Sequence, residues 1–217
     1  MSQPEVQDQN SPMVVTFMTT EHFVLATARS AGISETNGRA AIYLAAVSSG
    51  LIALAFTAQL SRLGAAFYVF GLVLLPTLAF VGVMTFDRAL RNGVEDVQLA
   101  GRINQIRQFY FDTAPQVARY LPAPVPDTPA AIAAHAGVSS PSWYQFLTIA
   151  GALAVVNSVL IGGTFGLAVQ AGTGVLAASA AVGVIIGAAA LAGHLARQRT
   201  IWCAARQSAS APAPAGA

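Results

Sequence analysis

Residues 128–196 contain no Asp, Glu, Lys or Arg. Soluble domains carry about 25% charged residues to cover their surface, so an uncharged stretch this long has to meet lipid or other protein. Two more such runs lie upstream. AAIYLAAVSSGLIALAFTAQLS fills the interval between Arg39 and Arg62, and LGAAFYVFGLVLLPTLAFVGVMTF fills that between Arg62 and Asp87. The first has 22 residues. At about 1.5 Å per residue, a helix of that length spans roughly 33 Å, slightly more than a hydrocarbon core of about 30 Å. Arg62 and its neighbours leave room only for a tight turn, so the two runs read as a helical hairpin. The long uncharged stretch divides at AGTG, residues 171–174, into a third span starting near Trp143 and a fourth ending before Arg197. Buried helices of soluble proteins are shorter and keep a polar face, and these four segments do neither. The fold class that follows is all-α: a four-span transmembrane helical protein with hairpins at 39–87 and 143–197.

The composition agrees. The chain is 55% hydrophobic and 9% charged, with a mean hydropathy of +0.60. Lysine is absent, so all eleven basic residues are arginines, a compositional sign of a GC-rich bacterial genome. Their placement sets an orientation. Arg29 and Arg39 precede span one, while Arg88, Arg91, Arg102, Arg107 and Arg119 lie between spans two and three. Arg197, Arg199 and Arg206 follow span four, and Arg62 alone lies between spans one and two. Cytoplasmic loops carry the arginine excess. The expectation is therefore a multi-pass protein of the bacterial cytoplasmic (inner) membrane with both termini and the middle segment in the cytoplasm. Arg39, Arg88, Arg91, Arg197 and Arg199 stand closest to the spans and set that topology. Trp143 and Trp202 fall at the cytoplasmic ends of spans, where amphipathic rings prefer the interface.

Between the spans the chain is polar or irregular. Residues 1–18 lack a basic n-region and read as a disordered tail, not a signal peptide. Residues 19–33 read as a short cytoplasmic helix capped at Thr19 or Thr20, with apolar Phe23, Leu25 and Ala26. Ser34 offers a second cap, and Glu35 favours the positive end of the span that follows. Residues 88–119 read as a second cytoplasmic helix continuing out of span two, with Asp87 and Arg91 in the favourable i,i+4 order. Leu99, Ile103, Ile106 and Tyr110 form an apolar stripe on it. The mixed charges, Glu95 and Asp96 among the arginines, favour packing against protein over an anionic membrane surface. Residues 120–142 are a Pro/Ala-rich linker with extended geometry at Pro122, Pro124 and Pro126, a short helix being started by Pro129. Residues 198–217 are a cytoplasmic tail.

Few residues suggest chemistry. Asn157 lies inside span three, where an amide facing hydrocarbon is costly; it faces another helix, as a packing contact or as part of a solute path. Gly162 and Gly166 on span three, with Ser179, Gly183 and Gly187 on span four, have the spacing that lets backbones approach closely. Pro76 should kink span two. His22, His135 and His194 fall in separate segments without ligand spacing, and Cys203 is the sole cysteine, so no metal or cofactor site is expected. His194 suits the cytoplasmic end of span four. No acid or base lies inside a span and no catalytic fingerprint appears, so no catalytic residue is assigned. No basic stripe with interleaved aromatics points to nucleic acid.

The stretch 21–56, EHFVLATARSAGISETNGRAAIYLAAVSSGLIALAF, resembles the start of uncharacterised membrane proteins of actinobacteria. The order of short helix, tight hairpin and charged helix over residues 20–112 also resembles, in layout, bacterial anti-phage transmembrane effectors of the SLATT and Pycsar kinds. That resemblance implies damage to the host membrane when triggered, although the second hairpin departs from their two-span pattern. The functional expectation is a non-enzymatic integral membrane protein acting through helix packing or oligomerisation, its partners being the lipid bilayer and a second copy or another membrane protein. One alternative is a membrane-perturbing, pore-forming effector triggered through its cytoplasmic helices. A second is a small-solute channel or carrier, motivated by Asn157 and Pro76.

Overall fold

The computed structural model describes residues 12–120 and 148–210, with positions 122, 126 and 131. The order of elements is α1 (Pro12–Ser61), α2 (Ala65–Thr113), a 3-10 turn (Pro115–Tyr120), α3 (Ile149–Thr173) and α4 (Leu176–Ser210). No strand occurs among the described residues. Each of the four helices contains a segment long and apolar enough to cross a membrane, as the uncharged runs require. This is the fold of a multi-pass membrane protein.

The helices run on past the boundaries that the sequence suggests. The helix expected at 19–33 and the first span are one element. α1 begins at Pro12, within the stretch read as a tail, and passes through Ser34 and Gly38 without a break. Ser34 therefore caps nothing. Gly32 and Gly38 each cost about 1 kcal/mol against Ala, but a helix already propagating needs no new nucleus to cross them. Likewise α2 carries span two and most of the region 88–119 in one helix, followed by the 3-10 turn. α4 extends to Ser210 and takes in residues 198–210 of the expected tail. Most of the linker 120–142 and the expected start of span three at Trp143 lie outside the described residues.

The turns are short. α1 ends with Arg62 at φ 49° and Leu63 at φ 58°, two consecutive residues in the left-handed region, where a side chain is normally unfavourable. Leu63 N–H donates to Ala58 O (3.0 Å) and Gly64 N–H to Ser61 O (2.9 Å). The Thr148 hydroxyl caps α3 by accepting from Gly151 N–H at 3.0 Å. Gly174, at φ 68°, ends α3 and donates to Gln170 O, in the AGTG segment where the sequence places the break.

The chain divides into two compact units. The larger comprises residues 35–92 and 140–217. Its core is built from Tyr43, Val47, Leu75, Leu78, Phe86 and Leu153 with their neighbours. Its outside is apolar as well: Ile42, Ile52, Phe56, Phe80, Val159 and Val184 are exposed, whereas Asn157, Ser158 and Ser179 are buried. Apolar exposure on this scale far exceeds what a soluble monomer shows, and it is the surface a bilayer accommodates. The smaller unit comprises residues 1–34 and 93–139. Its core is Leu25 of α1 against Ile103 and Ile106 of α2, with Met18, Leu99 and Tyr110 around them. The stripe of α2 thus meets α1, but of the α1 residues named above only Leu25 is buried; Phe23 points outward.

Candidate functional site

Within the larger unit the polar groups form a node inside the helices and a charged collar at one end. The node starts from Asn157 of α3, 0% exposed. Tyr43 Oη of α1 donates to Asn157 Oδ1 at 2.6 Å. This contact requires Gly82 of α2, because a Cβ there would strike both Asn157 Oδ1 and Tyr43 Oη. Three helices meet where one of them has no side chain. Asn157 Nδ2 has no partner among the described residues, so the amide is half satisfied. In an apolar surround the one bond it makes is the alternative to an unpaired amide in hydrocarbon. In the sequence Asn157 stands out as an amide within an apolar run, whereas Tyr43 and Gly82 do not stand out. Neither carries a signal in the sequence beyond its place inside an apolar run.

The small residues of α3 and α4 meet within the chain. A Cβ at Gly162 would strike Gly183 O and come within 3.2 Å of Gly187 N, and one at Gly166 would lie 3.0 Å from Ser179 O. All five candidates, Gly162, Gly166, Ser179, Gly183 and Gly187, therefore line one seam. Ser179 Oγ lies 2.8 Å from Gln170 Oε1 and 2.9 Å from its own helix at Val175 O. An open apolar groove of about 750 Å³ runs beside the seam, bordered by Leu54, Leu75, Gly163 and Leu167. Pro76 lies inside α2, which continues on both sides of it.

The collar gathers four of the arginines expected to set the topology, Arg39, Arg88, Arg91 and Arg197, on two carboxylates. Glu35 accepts from Arg39 at 2.9 Å and from Arg88 at 3.3 Å, tying α1 to α2. Asp87 accepts from Arg91 at 2.8 Å and from Arg197 Nε at 3.0 Å, tying α2 to α4. Arg199 is exposed. The hydrogen bonds from Arg88 and then Arg39 hold the Glu35 carboxyl below its ordinary pKa. Asn92 Nδ2 adds a 2.9 Å bond to Thr36 Oγ1. His194 does not serve a helix terminus, since α4 continues past it. Its ring packs edge-on to Phe86 with centroids 4.7 Å apart, and Nδ1 lies 2.7 Å from Ala190 O. A carbonyl only accepts, so this nitrogen carries the proton.

In the smaller unit Arg29 holds Asp96 by two bonds, Nε to Oδ1 at 2.7 Å and Nη2 to Oδ2 at 3.2 Å. The pair raises the arginine above its ordinary pKa. His22 stacks on Tyr110 with centroids 6.0 Å apart. Among the described residues no three His, Cys, Asp or Glu side chains come close enough to share a metal ion. What the arrangement does chemically is bind helices together: most polar features named here join one helix to another, the Glu35–Arg39 and Asp87–Arg91 pairs brace single helices, and Asn157 Nδ2 and His22 Nδ1 have no hydrogen-bond partner among the described residues. No known protein family, curated protein or solved structure matches the chain.

Proposed function

We propose that this chain is a non-enzymatic, multi-pass protein of the bacterial cytoplasmic membrane that acts through helix packing, with itself or with another membrane protein. Its termini and the collar lie on the cytoplasmic side. The observation that carries this reading is the collar. Arg39, Arg88, Arg91 and Arg197 gather at one end of the larger unit, whereas the turns that close the two hairpins hold Arg62 alone. Four guanidiniums on two carboxylates leave two positive charges facing the anionic inner leaflet, where each is worth about 1 kcal/mol. Reporter fusions test the orientation: a cytoplasmic signal from fusions near residue 105 supports it, and a signal from outside the cell overturns it. Resistance to carbonate extraction tests integral insertion, and release into the supernatant overturns that.

A second reading is a membrane-perturbing anti-phage effector of the SLATT or Pycsar layout. It draws on the continuity of α2, one helix from Ala65 to Thr113, through which a signal received at the charged end reaches a membrane segment. Induced expression with a membrane-potential dye tests it; polarisation that persists under phage infection overturns it. The bond from Tyr43 Oη to Asn157 Oδ1 supports a packing contact at that residue over a solute path, and solute flux in liposomes that falls with Asn157→Leu would overturn that preference.

A further inference from the structure

Among the described residues, the smaller unit leaves an apolar face of α1 uncovered. Met13 and Phe17 are each 65% exposed, Val24 is 52% exposed, and Phe23 beside them is 73% exposed. At 100° per residue, Met13, Phe17, Thr20 and Val24 fall on one stripe, roughly a third of a turn from the buried stripe of Met18, Leu25 and Arg29. Ala28 and Ala31 extend it with small, exposed side chains.

We infer that this stripe is a self-association surface, on which the same stripe of a second copy docks. Three observations favour a copy over the membrane surface. First, the face carries no cation. Between Pro12 and Ser34 the only charged residues are Glu21 and Arg29, and Arg29 is paired to Asp96 on the core side. A helix lying on an anionic leaflet needs a basic rim; a helix meeting its own copy does not. Second, the area suffices. An aromatic side chain buries on the order of 150–250 Å² when fully enclosed, and methionine and valine bury less. At the exposures above, Met13, Phe17 and Val24 offer roughly 350 Å² per copy, and the exposed Thr20, Ala28 and Ala31 add to it, so a symmetric pair buries up to about 1,000 Å², the lower bound of a specific interface. Third, a pair of helices around Leu25, Ile103 and Ile106 is a thin core, whereas two such pairs make a four-helix bundle with an enclosed apolar centre. The contact is isologous, with Phe17 and Val24 near the two-fold axis.

This inference rests on the membrane reading in one respect, that both copies occupy the same bilayer. The test uses the full chain in membranes, with Cys203 replaced by Ser so that the exposed native thiol does not react. Phe17→Cys and Val24→Cys should each form a disulfide-linked dimer under mild oxidation. Glu95→Cys, exposed on α2, should form at least tenfold less. Thr20→Arg separates the two occupants by sign. Across a two-fold contact it sets like charges together and should lower dimer yield at least tenfold. On a lipid surface it would strengthen attachment, seen as a larger blue shift of a Phe17→Trp probe when phosphatidylglycerol replaces phosphatidylcholine in nanodiscs. Equal cross-linking at positions 17, 24 and 95, or a phosphatidylglycerol-dependent shift enhanced by Thr20→Arg, overturns the proposal. Loss of cross-linking in a chain that resists carbonate extraction refutes self-association alone; release by carbonate refutes the membrane reading beneath it.

Discussion

Gly162 and Gly163 are adjacent on one helix, and the structure assigns them opposite consequences when a single methyl group is added. Replacing either with Ala restricts the unfolded chain and improves helix propensity by about 1 kcal/mol, so that contribution cancels in the comparison. The surroundings differ. A Cβ at Gly163 meets only Leu75 Cδ1, at 3.9 Å, an ordinary contact. A Cβ at Gly162 strikes Gly183 O and sits 3.1 Å from Gly187 Cα. Those are backbone atoms of α4 and cannot rotate away, so the helices must separate by about 1 Å. A gap of that size forfeits a quarter to a half of each dispersion contact along the seam, and overpacking of this kind costs about 1–3 kcal/mol. With the upper figure, appropriate to a backbone clash, Gly162→Ala is destabilising by about 2 kcal/mol net. Gly163→Ala is stabilising by up to about 1 kcal/mol, and a gap of about 3 kcal/mol is more than a hundredfold in the folding equilibrium. Unfolding in mixed dodecyl maltoside–SDS micelles, followed by far-ultraviolet circular dichroism, measures it. Equal midpoints for the two variants would refute the account of the α3–α4 seam.

Three further outcomes follow from particular contacts. Tyr43→Phe leaves the Asn157 amide with no partner and should destabilise by about 1–2 kcal/mol. The double variant with Asn157→Leu should recover most of that, giving a coupling of about 1 kcal/mol in a mutant cycle; additive losses would show that the bond contributes nothing. The Glu35 carboxyl titrates below its ordinary value of about 4.3, so its pairing stabilises the fold fully above that pH. This contribution is lost as pH falls through the lower folded-state value. The melting temperature of the native chain should therefore drop more steeply below about pH 4 than that of Glu35→Gln, and parallel profiles would count against the collar. Leu63→Gly removes a side chain from a left-handed residue and should stabilise by about 1 kcal/mol, raising the melting temperature; a lower one would mean that the leucine is held by packing.

The four helices were legible because a bilayer imposes one requirement, a long run without charge, and the sequence displays it directly. The turn at Gly174 was legible for an equally local reason: glycine takes the left-handed conformation there without penalty. Helix ends were less so. Ser34 and Gly38 look like punctuation, yet local capping preferences of about 1 kcal/mol do not stop a helix whose both flanks are packed. The node was half visible. Asn157 declares itself as an amide in an apolar run, but its partner stands 114 positions away, and Gly82 matters only once Tyr43 and Asn157 converge on it. The same holds for Arg29 and Asp96, separated by 67 positions. Pairings between distant segments leave no periodic trace in a single chain.

The two tips have a bearing on biogenesis. Only residues 62–64 join α1 to α2, and only Gly174 and Val175 join α3 to α4. In the proposed orientation, a hairpin closed this tightly has almost nothing hydrophilic to thread through the lipid: one guanidinium at the first tip and none at the second. Moving a single arginine to mid-bilayer costs about 2.5–3.5 kcal/mol on insertion scales, a barrier the flanking apolar segments readily offset. In that orientation each pair can enter tip first as one object, hairpin by hairpin.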